Sequence, residues 1–206
     1  MPDDALCGLI LVLGGARSGK SAVAERLVEE SGLPVTYIAT AEIGDDEMRM
    51  RVAHHRQRRP PSWVTLEAPH SAHELIGGTS PRAYLVDCLT MYLSNCLLSL
   101  EQEGLSDDDL QKACLAKVSA LIEAATHCPG LVVIVSNEVG QGVVPAYPLG
   151  RLFRDVAGWA NQRVAAAAQQ VFYCVAGIPV ELKRLQHAFA SFSEQIDTPG
   201  DGAHDA

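Results

Sequence analysis

The chain has 206 residues, of which 48% are hydrophobic and 20% charged, a composition and length that fit a single globular α/β domain. Its formal net charge of −9 argues against non-specific nucleic-acid binding, and no apolar run approaches the roughly 18 residues that a membrane-spanning helix needs. The first five residues lack the basic start of a secretory signal, so we expect a cytoplasmic protein with no nucleic-acid partner and no membrane insertion.

The strongest motif is a glycine-rich turn at residues 14–21, GGARSGKS, which matches G-x-x-x-x-G-K-[ST]. A strand-like apolar run at 9–13 precedes it and a helix-like stretch at 22–30 follows, the setting in which backbone N–H groups and a helix N-terminus bind phosphate. Lys20 would reach the β- and γ-phosphates, and the Ser21 hydroxyl would join the shell of a bound Mg²⁺. The predicted contacts to a nucleoside triphosphate are Gly14, Gly15, Ala16, Arg17, Ser18, Gly19, Lys20 and Ser21.

Strands and helices alternate along the rest of the chain. Apolar or β-branched runs predict strands at 35–39, 64–67, 83–87, 131–135 and 171–175, with an edge strand at 178–182. Helical patterns cover residues 45–58, 71–76, 89–100, 107–127 and 149–169. Together with the glycine-rich turn, this order predicts a P-loop NTPase-like α/β fold with a mostly parallel sheet and helices on both faces. We place the domain at residues 9–185, after an N-terminal extension at 1–8 and before a partly disordered tail at 186–206.

Polar residues follow three of these strands. Thr40, Ala41 and Glu42 come after the second strand, where open α/β sheets place ligand contacts. Asp87 ends an apolar strand and is predicted to bind Mg²⁺, although strands also end in aspartates that cap the next helix. Glu138 either takes a proton from a substrate hydroxyl, holds a metal-bound water, or caps the next turn, and the sequence leaves these alternatives open.

Five arginines and two histidines crowd residues 49–59. Arginine side chains match phosphate oxygens two at a time, so this helix is a candidate second anion site, the alternative being a solvated face offset by the acidic residues before it. Adjacent His54 and His55 point about 100° apart on a helix. From periodicity alone, His55 fits a packed core position and His54 a phosphate donor. A neutral imidazole that attacked an α-phosphate would form a nucleotidyl–histidine and release pyrophosphate.

Six stretches taken in order resemble one known family, the bifunctional adenosylcobinamide kinase/adenosylcobinamide-phosphate guanylyltransferases of cobalamin synthesis. They are GGARSGKS (14–21), YIATAE (37–42), DDEMRMRVAHHRQRRPPSW (45–63), LVDCLT (85–90), NEVGQGVVP (137–145) and LGRLFRDVAGWANQRVA (149–165). The phosphate motif alone is shared with many NTPases, whereas the combination of DDEM, HHR-x-x-RP-x-x-W, NEVG and FRD-x-x-G-x-x-NQ in this order is highly specific.

The resemblance implies an enzyme that phosphorylates the aminopropanol hydroxyl of adenosylcobinamide with ATP or GTP. The same enzyme would then transfer GMP from GTP to that phosphate, which gives adenosylcobinamide-GDP and pyrophosphate. His55 would carry the GMP, Lys20 and Mg²⁺ would neutralise polyphosphate charge, and the subunits would form a homotrimer. Beyond residues 14–21, the implied nucleotide contacts are Thr40, Ala41, Glu42, Arg56, Gln57, Arg58, Arg59, Glu67 and Asp87. Competing hypotheses are a small-molecule P-loop kinase without transferase activity and a non-catalytic nucleotide switch.

Overall fold

The computed structural model describes residues 7–42 and 59–186, whose strands form a seven-stranded sheet. The strands are β1 (Gly8–Gly14), β2 (Val35–Ala39), β3 (Val64–Glu67), β4 (Ala83–Asp87), β5 (Leu131–Asn137), β6 (Gln170–Val175) and β7 (Ile178–Glu181). They lie in the order β3-β2-β4-β5-β1-β6-β7, and all neighbours are parallel except β6 and β7. The predicted mostly parallel sheet is therefore confirmed, with β7 as an antiparallel edge.

The helices in the described part of the chain are α1 (Lys20–Glu30), α2 (Leu89–Glu101), α3 (Asp107–His127) and α4 (Pro148–Ala167), with a 3-10 turn at Ala72–Leu75. Local sequence explains where two of them begin. The Ser106 hydroxyl accepts a hydrogen bond from the Asp109 N–H and caps α3, and Pro148 opens α4, where no backbone donor is needed. The predicted helix at 45–58, the tail beyond residue 186 and most of the N-terminal extension fall outside the described residues.

Both faces of the sheet are covered. Leu9 and Leu11 of β1 point into a cluster formed with α2, α3 and α4, whereas Ile10 and Val12 point into a second cluster formed with α1. Because both sets of side chains are buried, β1 reads as an unbroken apolar run rather than an alternating one. This arrangement confirms the prediction of helices on both faces.

The register of the parallel strands brings their carboxyl ends to one edge of the sheet. Gly14 at the end of β1 lies level with Asn137 of β5. Asp87 at the end of β4 lies level with Val135 of β5 and with Ala39 of β2. Residues that follow β1, β2, β4 and β5 in sequence therefore meet in space, as ligand contacts do in open α/β sheets.

Within residues 7–42 and 59–186, no helix has the length and apolar character that crossing a bilayer demands. The six cysteines, all of which lie in this part of the chain, are free thiols, and four of them are buried: Cys88, Cys96, Cys114 and Cys174. These four pack as small core residues.

Gly130 immediately before β5 provides a test of this packing. A Cβ built there would lie 2.1 Å from the Arg82 carbonyl oxygen, so Gly130→Ala has to displace backbone. We expect the substitution to lower the free energy of unfolding by about 2–4 kcal/mol, measured by urea denaturation.

Gly158 within α4 is the matched control, since a Cβ there meets no atom within 4 Å. Gly158→Ala should leave the protein as stable or raise its stability by up to about 1 kcal/mol through helix propensity. Equal denaturation midpoints for the two variants would contradict the packing described here.

Candidate active site

The turn between β1 and α1 has the shape of a phosphate cradle. β1 ends at Gly14 and α1 begins at Lys20, so the whole motif lies between a buried strand and a helix N-terminus. Gly19 precedes the helix with φ +90°, a left-handed conformation that L side chains rarely adopt. The Lys20 ammonium folds back across the turn and donates to the Gly15 carbonyl at 3.1 Å, while Ala16 and Arg17 are exposed at its tip. Ser21 lies in the first turn of α1.

Neighbouring strands hold this cradle at both ends. The Glu138 N–H after β5 donates to the Gly14 carbonyl at 3.2 Å, and the Gly177 N–H donates to the Ser18 carbonyl at 2.9 Å. A Cβ on Gly19 would lie 2.9 Å from the Gly177 Cα. Gly177 belongs to the two-residue turn between β6 and β7, where both central residues have positive φ, as type I′ hairpins require. The sequence analysis missed this contact.

The buried hydroxyl of Ser18 has no hydrogen-bond partner among the described residues. Buried polar groups nearly always have a partner, so an unpaired hydroxyl inside the cradle indicates a missing ligand. A phosphate oxygen is an acceptor of the kind that this hydroxyl lacks.

Asp87 lies at the same edge of the sheet and is held by Tyr37 from β2. The Tyr37 hydroxyl donates to Asp87 Oδ2 at 2.7 Å. Burial, and then the adjacent Asp87 carboxylate, raise the pKa of Tyr37 far above its usual range, so the phenol stays protonated and remains a donor. The predicted metal ligand therefore has a fixed orientation.

Arg59 packs over the aromatic ring of Tyr37. Its guanidinium carbon lies 3.3 Å from the centroid of the Tyr37 ring, and its Nη1 donates to the Thr65 hydroxyl at 3.4 Å. The Nε of Arg59 is buried and has no hydrogen-bond partner within residues 7–42 and 59–186. Four other predicted site residues, His55, Arg56, Gln57 and Arg58, lie outside the described residues.

Thr40 has a structural role in addition to the predicted one. It is fully buried, and its hydroxyl donates to the Cys88 carbonyl and accepts from the Cys88 N–H, both at 2.7 Å. The Asn95 amide donates to the Thr40 carbonyl at 2.8 Å. These bonds clamp the end of β2 to the start of α2, and whether Thr40 also contacts a nucleotide stays a prediction.

The remaining predicted contacts, Ala41, Glu42 and Glu67, lie around the carboxyl end of β2. Ala41 is half-buried, and Glu42 is exposed with its carboxylate 2.8 Å from His70 Nε2. Glu67 ends β3 level with Ala39, on the opposite side of β2 from Asp87. The structure thus brings Glu42, Glu67 and Asp87 to the same edge.

A buried polar network at the end of β5 was not foreseen. The Asn137 amide donates to the Thr90 hydroxyl at 2.6 Å. The Asn161 amide donates to the Asn137 carbonyl at 3.1 Å and accepts from the Ser136 hydroxyl at 2.6 Å. Asn161 lies on α4, is only 6% exposed and faces inward. The available signal in the sequence was that Ser136, Asn137 and Asn161 are polar residues in otherwise apolar segments.

Glu138 makes the loop contact that one sequence alternative anticipated. Its carboxylate accepts a hydrogen bond from the Gly140 N–H at 2.8 Å. Burial, and then the adjacent Asp87 carboxylate, raise the pKa of the Cys88 thiol, whereas the positive charge of Lys20 opposes that rise.

Comparisons with known proteins agree with this architecture and with the resemblance seen in the sequence. Residues 10–182 match the family model described as CobU, cobinamide kinase/cobinamide phosphate guanyltransferase. The chain is 46% identical over 175 residues to the bifunctional adenosylcobalamin biosynthesis protein CobP of Pseudomonas aeruginosa, an alignment that spans 84% of this chain and 96% of that protein. It is 45% identical over 183 residues to the bifunctional adenosylcobalamin biosynthesis protein CobU of Escherichia coli, spanning 85% and 99% of the two chains.

Solved structures that resemble the chain support the fold alone. One is a prototypical ATPase from a bacterial type III secretion system, with a TM-score of 0.53 at 11% identity, covering 91% of this chain and 62% of the ATPase. Another is the assembled ATPase EscN from enteropathogenic E. coli, with a TM-score of 0.52 at 13% identity, covering 82% and 43%. Both likenesses fit the predicted P-loop NTPase-like architecture.

Gly19→Ala should weaken nucleotide binding, because the new methyl group meets the Gly177 backbone in a conformation that alanine already disfavours. We expect a loss of about tenfold or more in affinity for GTP or ATP, measured by calorimetry. Gly104→Ala is the matched control, since Gly104 also has positive φ (+74°) but has open space around it. Both variants should lose folding stability, whereas only the first should lose affinity.

Proposed function

Since this chain belongs to the cobinamide kinase/cobinamide phosphate guanyltransferase family, we propose that it catalyses both steps on adenosylcobinamide in cobalamin biosynthesis. The first step transfers a phosphoryl group from ATP or GTP to the aminopropanol hydroxyl. The second transfers GMP from GTP to the new phosphate and releases pyrophosphate. The observation that carries the proposal is the match over residues 10–182 in a chain whose β1–α1 turn forms a phosphate cradle.

The kinase step uses the cradle to hold the triphosphate. Backbone N–H groups of residues 15–20, the Ser18 hydroxyl and the Lys20 ammonium surround the phosphates, and the N-terminus of α1 adds partial positive charge. The oxygen of the substrate hydroxyl attacks the γ-phosphorus and its proton is released to water, the new O–P bond forms as the bond to the β-phosphate oxygen breaks, and the nucleoside diphosphate leaves. Lys20 contributes by stabilising the negative charge that shifts toward the leaving oxygen.

The same edge suits Mg²⁺, which prefers oxygen ligands and is usually held by one or two protein groups together with phosphates. The Ser21 hydroxyl in the first turn of α1 and the oriented Asp87 carboxylate at the end of β4 are oxygen donors of this kind. Among the described residues no cluster of three or more His, Cys, Asp or Glu side chains could hold a metal by itself. Phosphate oxygens and water would supply further ligands. Bound there, Mg²⁺ would neutralise phosphate charge.

The guanylyl step uses His55 as the nucleophile. An imidazole nitrogen attacks the α-phosphorus of GTP, the N–P bond forms, and pyrophosphate leaves. An oxygen of adenosylcobinamide phosphate then attacks the same phosphorus, and the N–P bond breaks to restore His55 and give adenosylcobinamide-GDP. Arg59 lies at the same edge as Asp87, and its buried Nε lacks a partner in the part of the chain that the structure describes, so Arg59 is suited to binding a phosphate during this step.

The assembly of the protein is a proposal that follows from the family resemblance, and its location is a proposal as well. We propose a homotrimer in the cytoplasm. Light scattering coupled to size-exclusion chromatography measures the subunit number, and a mass of one or two subunits would contradict a trimer.

Incubation with GTP labelled at the α-phosphate separates the proposed function from its competitors. Labelled protein that is acid-labile and base-stable supports the transferase. Transfer of the γ-label from ATP to the corrinoid without any protein adduct supports a kinase alone, and transfer of neither label supports a nucleotide switch.

His55→Ala should abolish the adduct while kinase turnover stays within about threefold of the parent enzyme, because only the guanylyl step needs this nucleophile. His54→Ala is the matched control and should retain the adduct. Equal loss of both activities in His55→Ala would mean that the histidine has a structural role.

Lys20→Ala should lower the rates of both steps by about 10²–10³-fold, since each requires the polyphosphate to be held and its charge stabilised. Lys112→Ala, which removes an exposed α3 lysine paired with Asp108, should change neither rate. A Lys20→Ala enzyme with normal guanylylation would show that the α-phosphate is bound elsewhere.

A further inference from the structure

Tyr37 lies between two residues that the proposed function assigns to the nucleotide and contacts both of them. We propose that Tyr37 is a positioning residue, which fixes the Asp87 carboxylate for the metal–nucleotide complex and holds Arg59 beside it. The inference rests on the proposed function, because it takes Asp87 as a ligand of the Mg²⁺ that accompanies the triphosphate.

The contact with Asp87 fixes the direction of the carboxylate. A free aspartate rotates about its Cβ–Cγ bond, so a hydrogen bond to one oxygen also determines where the other oxygen points. The 2.7 Å bond from the Tyr37 hydroxyl to Asp87 Oδ2 does this from the neighbouring strand. A neutral donor to a charged acceptor is among the stronger protein hydrogen bonds, and losing one typically reduces an affinity that depends on it by about tenfold or more.

The contact with Arg59 uses the other part of the same side chain. The guanidinium carbon lies over the phenol ring, 3.3 Å from its centroid, while Nη1 donates to the Thr65 hydroxyl on β3. Tyr37 is 3% exposed and anchored in the sheet, so its ring gives Arg59 a rigid support. This contact fixes Arg59, which follows His55 in the sequence, beside the strand that holds Asp87.

Packing alone does not require the hydroxyl of Tyr37. A phenylalanine would fill the same space between α1 and the sheet, whereas a buried phenol is costly unless its O–H is paired. Tyr84 on β4 shows the purely structural solution, since its hydroxyl donates at 2.6 Å to the backbone carbonyl of Gly77 in a loop. The Tyr37 hydroxyl instead donates to the acidic side chain of Asp87 at the predicted site.

The test compares Tyr37→Phe with Tyr84→Phe, each of which removes one buried hydroxyl from adjacent strands. Affinity for α,β-methylene-GTP, which cannot form the histidine adduct, is measured by calorimetry with Mg²⁺ and with EDTA. In Tyr37→Phe we expect the affinity with Mg²⁺ to fall about tenfold and the affinity in EDTA to stay within about twofold. Tyr84→Phe should lose folding stability and leave both affinities unchanged.

A double substitution checks that the effect passes through Asp87. In an Asp87→Ala protein, adding Tyr37→Phe should cause no further loss of affinity with Mg²⁺. Arg59→Ala, which keeps the phenol–carboxylate bond but removes the stacked group, is a second variant and should lower the affinity with Mg²⁺ by a smaller factor. The proposal is overturned if Tyr37→Phe changes both affinities equally, if its effect persists without Asp87, or if Arg59→Ala leaves the affinity with Mg²⁺ unchanged.

Different binding results distinguish a failure of this inference from a failure of the proposed function. If the parent protein binds no nucleotide under either condition, the function itself is wrong. If the parent protein binds the analogue more tightly with Mg²⁺ but Tyr37→Phe behaves as the parent does, only the positioning role is wrong. If the parent affinity is independent of Mg²⁺, Asp87 does not hold a metal and the positioning role falls with it.

Discussion

The structure depends on a turn that must approach its neighbours more closely than side chains allow. At Gly14 a Cβ would lie 2.8 Å from the Cys174 carbonyl oxygen of β6, and at Gly19 it would lie 2.9 Å from the Gly177 Cα. These approaches press the cradle against β6 and the β6–β7 turn, and the backbone bond from Gly177 to Ser18 fixes it there. The motif is therefore pre-formed by the sheet, which reduces the conformational entropy that nucleotide binding would otherwise cost.

Side-chain hydrogen bonds from outside the phosphate motif also fix the strand ends at the site. Thr40 clamps β2 to the backbone at Cys88, Asn161 holds the end of β5 through Ser136 and Asn137, and Tyr37 holds Asp87. Each of these side chains comes from an element that the phosphate motif does not include. Hydrogen bonds inside a low-dielectric interior are geometrically demanding, so together they set where the strand ends point. The chemistry proposed for the site requires this positional accuracy.

The fold and the cradle were predictable from the sequence because their signals are local. Apolar strands buried on both faces, helices between them and a complete glycine motif gave element boundaries within two residues over most of the described chain. The contacts of Gly177, Tyr37 and Asn161 were not predictable, because each depends on how the chain folds in space, which brings together residues from 22 to 159 positions apart. A buried tyrosine or asparagine in an apolar stretch signals that a partner exists, but not which residue it is. The roles of His55, Arg56, Gln57 and Arg58 came from family resemblance, and these four residues lie outside the described part of the chain.

The strand order also determines when the nucleotide site can exist during synthesis. β1 is made first, yet both of its neighbours in the sheet, β5 and β6, come from the last third of the domain, and the Ser18 carbonyl finds its donor only at residue 177. A nascent chain that has emerged only as far as α3 therefore carries the entire glycine motif without the strands that shape it. Such a chain exposes an unpaired apolar strand, the kind of segment that chaperones shield from aggregation until the remaining strands emerge. Nucleotide binding is thus a property of the finished domain and not of its first thirty residues.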